Sequence, residues 1–279
     1  MTLTLISIEL IKIFKKWRTY IGFIAIGILT PTVQLALYFT GQRYVNHLLR
    51  GLQDAFVFYG NLFNGYLVAY LILHSLVIHI PFLIVLVGGD LLAGEATAGT
   101  YRILLIRPVS RLQIIVAKFF AGIIYTFILI LWLVLLSFIL SLFLFGSGEL
   151  ITFKNKLIIF SQNDVIWRFV CAYGFAALSM STVLTLSFFF SSMVENAIGP
   201  IISTMAVIII FLIISAIPIE FFQTLKPFLF TTHMTVWENF FNDTVDWQSI
   251  FNSSLILIIH IIVLFLFTVY IFLKKDILS

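Results

Sequence analysis

Residues 169–219 read FVCAYGFAALSMSTVLTLSFFFSSMVENAIGPIISTMAVIIIFLIISAIPI, and the single charge among them is Glu195. As one helix this stretch would extend about 76 Å at 1.5 Å per residue, far beyond a hydrocarbon core roughly 30 Å thick. It must fold back on itself. The turn is expected within Ser191–Pro200, with Gly199-Pro200 as breaker and Ser192-x-x-Glu195 as a capping box. Two helices lying side by side in lipid is the fold that follows.

The same pattern runs outward from there. Six windows contain no Asp, Glu, Lys or Arg: 19–42, 55–89, 119–148, 169–194, 196–219 and 247–273. A charge at mid-membrane costs at least about 2.5–3.5 kcal/mol, so these are candidate crossings. Hydrophobic residues make up 62% of the chain and charged residues 10%, with mean hydropathy +1.15. A soluble domain sits near 45–50% apolar and about 25% charged, so that class is excluded. Windows such as Ile201–Ile219 lack the alternation of a barrel strand. The expectation is an all-α membrane protein of one domain over 1–279. Its six spans fall near 20–41, 65–88, 119–145, 168–190, 197–218 and 252–273.

Residues 3–18 read as an amphipathic helix lying in the headgroup layer. Leu3, Ile6, Leu10, Ile13, Phe14 and Trp17 share one face, and Glu9, Lys12, Lys15 and Lys16 the other. The segment precedes a 24-residue apolar window with no small-residue cleavage site, so the first span is read as uncleaved with a cytoplasmic N-terminus. Six crossings then place both termini inside. Lys12, Lys15, Lys16, Arg18, Arg102, Arg107, Arg111, Lys118, Lys274 and Lys275 fall inside; Arg43, Arg50, Lys154, Lys156, Arg168 and Lys226 fall outside. The bias follows the positive-inside rule. The net charge of +4 does not point to nucleic acid.

Several chemistries lack their residues. Cys171 is the lone cysteine, which precludes an intramolecular disulfide. There is no H-E-x-x-H and no G-x-x-x-x-G-K-[ST] phosphate loop, so neither metal nor cofactor is expected on this chain. His74 and His79 stand about 140° apart on a helix and do not make a metal pair. The aromatic-rich stretch 220–250 is expected at the outer interface or partly embedded.

Residues 88–118, GGDLLAGEATAGTYRILLIRPVSRLQIIVAK, carry the densest internal charge. Gly99 should stop the descending helix, Thr100 cap a short helix over Tyr101–Ile106, and Pro108 end it. Ser110-x-x-Gln113 then caps the next span. The order Glu95-x3-Gly99-Thr100, Leu104-Leu105, Pro108-Val109-Ser110-Arg111 and Lys118 resembles the first cytoplasmic loop of ABC-2 type (type V) ABC transporter permeases. The amphipathic start, six spans and the Lys274–Asp276 ending are similar to that family as well.

The resemblance implies a bacterial inner-membrane exporter subunit. It would pair with a second permease copy, identical or sister, above two cytoplasmic ATPase subunits that hold ATP and magnesium. Glu95, Gly99, Thr100, Tyr101, Arg102, Leu104, Pro108, Ser110 and Arg111 would form the ATPase-coupling element, and Glu195 a smaller second contact. Headgroup anchoring is the alternative role for Arg102, Arg107 and Arg111. Gln34, His74 and Thr204 would face the substrate path, because the family's first, second and fifth spans line it. The chain itself would not be an enzyme. An ion-coupled secondary transporter or a non-transporting structural subunit are the alternatives; the first would want acidic residues within the spans, and these windows hold none.

Overall fold

A computed structural model of the chain describes residues 2–49, 62–99, 109–153 and 157–275. The long charge-poor stretch does fold back: Gln162–Met193 and Ile198–Ala216 are helices joined at residues 194–197. In chain order the elements are α1 (Thr2–Lys15), α2 (Trp17–Leu49), α3 (Gly65–Leu76), α4 (Ile80–Gly88), α5 (Asp90–Thr97) and α6 (Arg111–Phe145). A hairpin of β1 (Leu150–Phe153) and β2 (Leu157–Phe160) follows, then α7 (Gln162–Met193), α8 (Ile198–Ala216), α9 (Glu220–Leu225), α10 (Phe230–Met234) and α11 (Trp247–Lys274).

Among the described residues, α2, α6, α7, α8 and α11 are each long and apolar enough to cross a membrane. The pair α3–α4 passes the same test together, bent by 53°. This is a multi-pass, predominantly helical membrane protein. The bend falls at Val77–His79 because Pro81 in the first turn of α4 has no N–H to offer the preceding turn. His79 Nδ1 meets Ser75 O at 2.8 Å across the break.

The helical expectation holds, with one addition among the described residues: β1 and β2 pair antiparallel, with Leu150 opposite Phe160 and Thr152 opposite Ile158. Leu-Ile-Thr-Phe and Leu-Ile-Ile-Phe are β-branched and aromatic runs, which fit a pleated, half-buried surface. The helix that carries the third apolar window starts at Arg111, where the Ser110–Gln113 capping box was expected to start it. The turn after α7 does not use Ser192 as a cap. Ser192 Oγ donates to Phe189 O inside α7, while Asn196 Oδ1 accepts from Ile198 N. Pro200 then sits in the first turn of α8, where its missing N–H costs no helical bond.

The core is organised around α7. Of its most apolar window 78% is buried, against 17% for α8 and for α11. Its hydroxyls explain how a polar helix can sit there. Ser179, Ser181, Thr182 and Thr185 each donate to the carbonyl four residues earlier. The hydroxyls are thereby satisfied, and their small side chains admit neighbours closely. Gly88 packs there: a Cβ on it would lie 2.9 Å from Ser187 Cβ.

At the end of the bundle that carries the hairpin, residues 217–246 fold over the helix tips. Phe230, Trp237, Phe240 and Phe241 are buried, and Phe241 meets the rings of Tyr70 and Phe169 at 5.1 and 5.0 Å. Much of the aromatic density expected at a membrane interface is therefore internal packing, whereas Phe221, Phe228 and Trp247 are exposed.

Candidate functional site

At the opposite end, α1, α5 and the start of α6 meet through charge. Lys118 lies two turns into α6 and is 2% exposed. Its Nζ is 2.7 Å from Glu9 Oε2 and 2.9 Å from Glu95 Oε1. Lys12 Nζ closes the ring at 2.7 Å from Glu9 Oε1 and 3.0 Å from Glu95 Oε1. Two ammoniums and two carboxylates alternate, so the cluster is neutral in sum. A buried lysine without such partners would carry a desolvation penalty of several kcal/mol.

A second cluster lies one turn away. Asp90, the first residue of α5, holds Lys16 Nζ at 2.6 Å and Arg18 Nη1 at 3.3 Å. The α1–α2 junction thus grips α5 at both ends. The junction is itself fastened: Thr19 Oγ1 donates to Ile13 O, and Tyr125 Oη donates to Thr19 O at 3.3 Å. Burial pulls the Lys12 ammonium down, but the hydrogen bonds and charges of Glu9 and then Glu95 overcome it and raise its pKa above the ordinary lysine value.

The other side of α5 is tied to the α7–α8 turn. Ser191 Oγ accepts from Leu92 N and Ala93 N at 3.1 and 2.8 Å and donates to Gly89 O at 2.6 Å. Thr97 Oγ1 lies 3.0 Å from Glu195 O and accepts from Ala197 N at 3.3 Å.

The positions singled out from sequence divide clearly. Gly99 ends α5 as expected, in the left-handed region at φ +63° where a side chain would be strained. Ser110 forms the full capping box, its Oγ accepting from Gln113 N and its N donating to Gln113 Oε1. Glu95 is turned into the ion cluster and is 9% exposed. Arg111 reaches the end of the last helix, with Nη1 at 3.3 Å from Leu273 O and 3.0 Å from Lys275 O. Glu195 has an exposed side chain. Thr100, Tyr101, Arg102, Leu104 and Pro108 lie outside the described residues.

The three path candidates do not meet. Gln34 Nε2 donates to Leu136 O at 2.7 Å and to Ser141 Oγ at 2.9 Å. It packs against the π turn Leu135–Ile139 of α6. Thr204 Oγ1 donates to Pro200 O within its own helix. His74 is the exposed one of the three, paired with Glu238 at 3.2 Å and set against Tyr70 and Trp237. Among the described residues, no group of three His, Cys, Asp or Glu side chains could hold a metal.

The profile of a family described as a protein of unknown function, DUF2705, matches residues 27–278. The chain belongs to that family. The DUF2705 match includes Asp90, Glu95 and Lys118. Over 118 residues the chain is 29% identical to a Bacillus subtilis (strain 168) protein described as uncharacterized protein YhcI. That stretch covers 40% of this chain and 37% of the relative's length.

The sequence reading placed Glu9 on the polar face of the N-terminal helix and Lys118 in the 88–118 pattern and among the inner charges, gave Asp90 no role, and paired none of them. One signal could have found Lys118. A helix capped at Ser110 carries it eight residues inward, about 12 Å along the axis, where a lysine needs a partner.

Proposed function

We propose that this chain is the membrane subunit of an ATP-driven exporter, energised by a separate ABC-type ATPase that docks at the end carrying α1 and α5. In this reading α3–α4 is one broken span, the crossings number six, both termini are cytoplasmic, and the protein resides in a bacterial cytoplasmic membrane. Two permease copies, identical or sister, stand over two ATPase copies that hold ATP and magnesium.

One observation carries the reading. The helix leading into residues 100–108 is bonded on several sides: Lys12 from α1, Lys16 from the α1–α2 junction, Lys118 from α6, Ser191 from the end of α7 and Glu195 O from the α7–α8 turn. A push on the 100–108 segment would therefore move α1, α5, α6 and the α7–α8 hairpin as one body. Such a rigid connection is what alternating access driven from below requires. In this scheme Glu95 acts as a positioning residue, holding the elbow rather than touching the ATPase. Tyr101, Arg102, Leu104 and Pro108 remain the contact positions.

The test is gentle-detergent purification of the tagged chain followed by mass spectrometry of its companions. A co-purifying ATPase that is lost on Leu104→Asp, with the permease still folded, supports the proposal. Absence of any nucleotide-hydrolysing companion, or labelling of a cysteine placed at 104 from outside the cell, would overturn it.

A further inference from the structure

An open cleft of about 480 Å³ lies beside the charged clusters, between the α1–α2 junction, α5 and the α7–α8 turn. Lys16, Trp17 and Arg18 form one wall, and Asp90, Gly94 and Thr97 form the other. Its chemistry is unbalanced. Lys16 and Arg18 share the single carboxylate of Asp90, which leaves one net positive charge, and their side chains are 44% and 45% exposed. Gly94 shapes the floor: a Cβ there would lie 2.4 Å from Asp90 Oδ1, so a side chain would displace that carboxylate from its place between the two cations.

Depth identifies what the cleft meets. Trp17 opens the first helical segment long and apolar enough to cross a membrane, so the cleft lies beside the start of that segment. Trp17 is 73% exposed, and Leu3 and Ile11 also face away from the bundle. Exposed tryptophan and aliphatic side chains flanking lysine and arginine are the composition of a protein surface at lipid headgroup level. Two cations with one positive charge in surplus, in a cleft at that level, are complementary to a phosphodiester.

We propose that this cleft is a binding site for the headgroup of an anionic phospholipid. Lys16 and Arg18 take the phosphate, and Trp17 lies along the glycerol and upper acyl region. The site does not depend on the exporter reading. It predicts a lipid dependence whether or not an ATPase is ever found.

The test is native mass spectrometry and thermal unfolding of the full chain, purified and presented with phosphatidylglycerol or phosphatidylcholine nanodiscs. Wild type is expected to retain phosphatidylglycerol selectively. Each of Lys16→Gln and Arg18→Gln should weaken retention about fivefold, from roughly 1 kcal/mol per basic residue near an anionic surface. Lys15→Gln, the same charge change at a neighbouring exposed lysine outside the cleft, should leave retention unchanged. Asp90→Asn should strengthen it, a direction that loss of fold cannot imitate. Equal retention of the two lipids, an equal effect of Lys15→Gln, weaker binding in Asp90→Asn, or displacement by millimolar inorganic phosphate would each overturn the site. So would a result in which Lys16 and Arg18 affect only capture of a protein partner.

Discussion

Lys118 Nζ lies 2.7 Å from Glu9 Oε2, although 109 residues separate them in the chain. The contact pins an N-terminal helix with exposed apolar residues to the base of a span. It also qualifies the amphipathic reading of α1, whose Ile6, Leu10, Ile13 and Phe14 do pack against the bundle. Glu9 and Ile13, assigned to opposite faces, are both buried against the bundle, while Leu3, Ile11 and Trp17 are exposed. The lysines at 12 and 16 bind protein carboxylates before they meet any lipid.

Removing one member of the ring should be costly. Lys118→Met leaves Glu9 and Glu95 sharing Lys12 alone, and breaking a buried pair from one side costs about 3–5 kcal/mol. Glu95→Gln should cost less, since Glu9 still neutralises Lys118. Unfolding followed by intrinsic fluorescence in detergent will rank them. Equal melting temperatures for wild type and Lys118→Met would show that the ring contributes nothing.

Docking of α1 should weaken in alkali. The Lys12 pKa is raised above its ordinary value of 10.5, chiefly by Glu9 and Glu95 acting against burial. Its contribution is therefore complete below 10.5 and lost as pH climbs through the folded value. Proteolytic release of α1 should rise only above that threshold, and Lys12→Arg, which stays charged, should delay it. Release that increases toward neutral pH would contradict the assignment.

Gly65→Ala should loosen the start of α3. A Cβ there would lie 2.6 Å from Ser141 O, 2.7 Å from Leu142 Cα and 2.8 Å from Gly146 O, all backbone atoms at the end of α6. Backbone cannot swing aside, so about 1–3 kcal/mol of overpacking strain is expected. Thermal unfolding should show the loss, with Gly174→Ala, which meets nothing within 4 Å in mid-α7, as a comparison that should hold or raise stability.

Arg111→Gln should fray the C-terminal end of α11. The guanidinium serves two carbonyls where the helix dipole is negative, an interaction worth about 0.3–1 kcal/mol. Hydrogen exchange should accelerate over residues 271–275 and stay unchanged in the middle of α11. Uniform exchange along the helix would argue against a capping role.

Gln34→Leu should destabilise the contact between α2 and α6. It strips Leu136 O of its side-chain donor inside the membrane, a loss of about 0.6–2 kcal/mol. A substrate-path role alone would alter transport and leave the melting temperature in place.

Membrane residence and most helix positions were legible from charge spacing, because lipid imposes one severe rule: no charge and no unpaired backbone in the hydrocarbon. The caps were legible too, since Ser110 with Gln113 and the left-handed Gly99 act within a few residues of chain. The hairpin at 150–160 was written in two β-branched runs but obscured by their shortness, four residues each. What no local pattern contained was the choice of partners. Glu95 could have faced an ATPase, Arg111 a lipid phosphate and Gln34 a substrate, and residue type permits each. Tertiary packing gave all three protein partners, burying Glu95 against Lys118 and Gln34 against Leu136 O and setting half-buried Arg111 on the last carbonyls of α11, because a charge or amide taken out of water must find its complement wherever the fold brings one. The chain's own letters set which segments enter lipid; only the assembled bundle decided which polar groups were already spent holding it together.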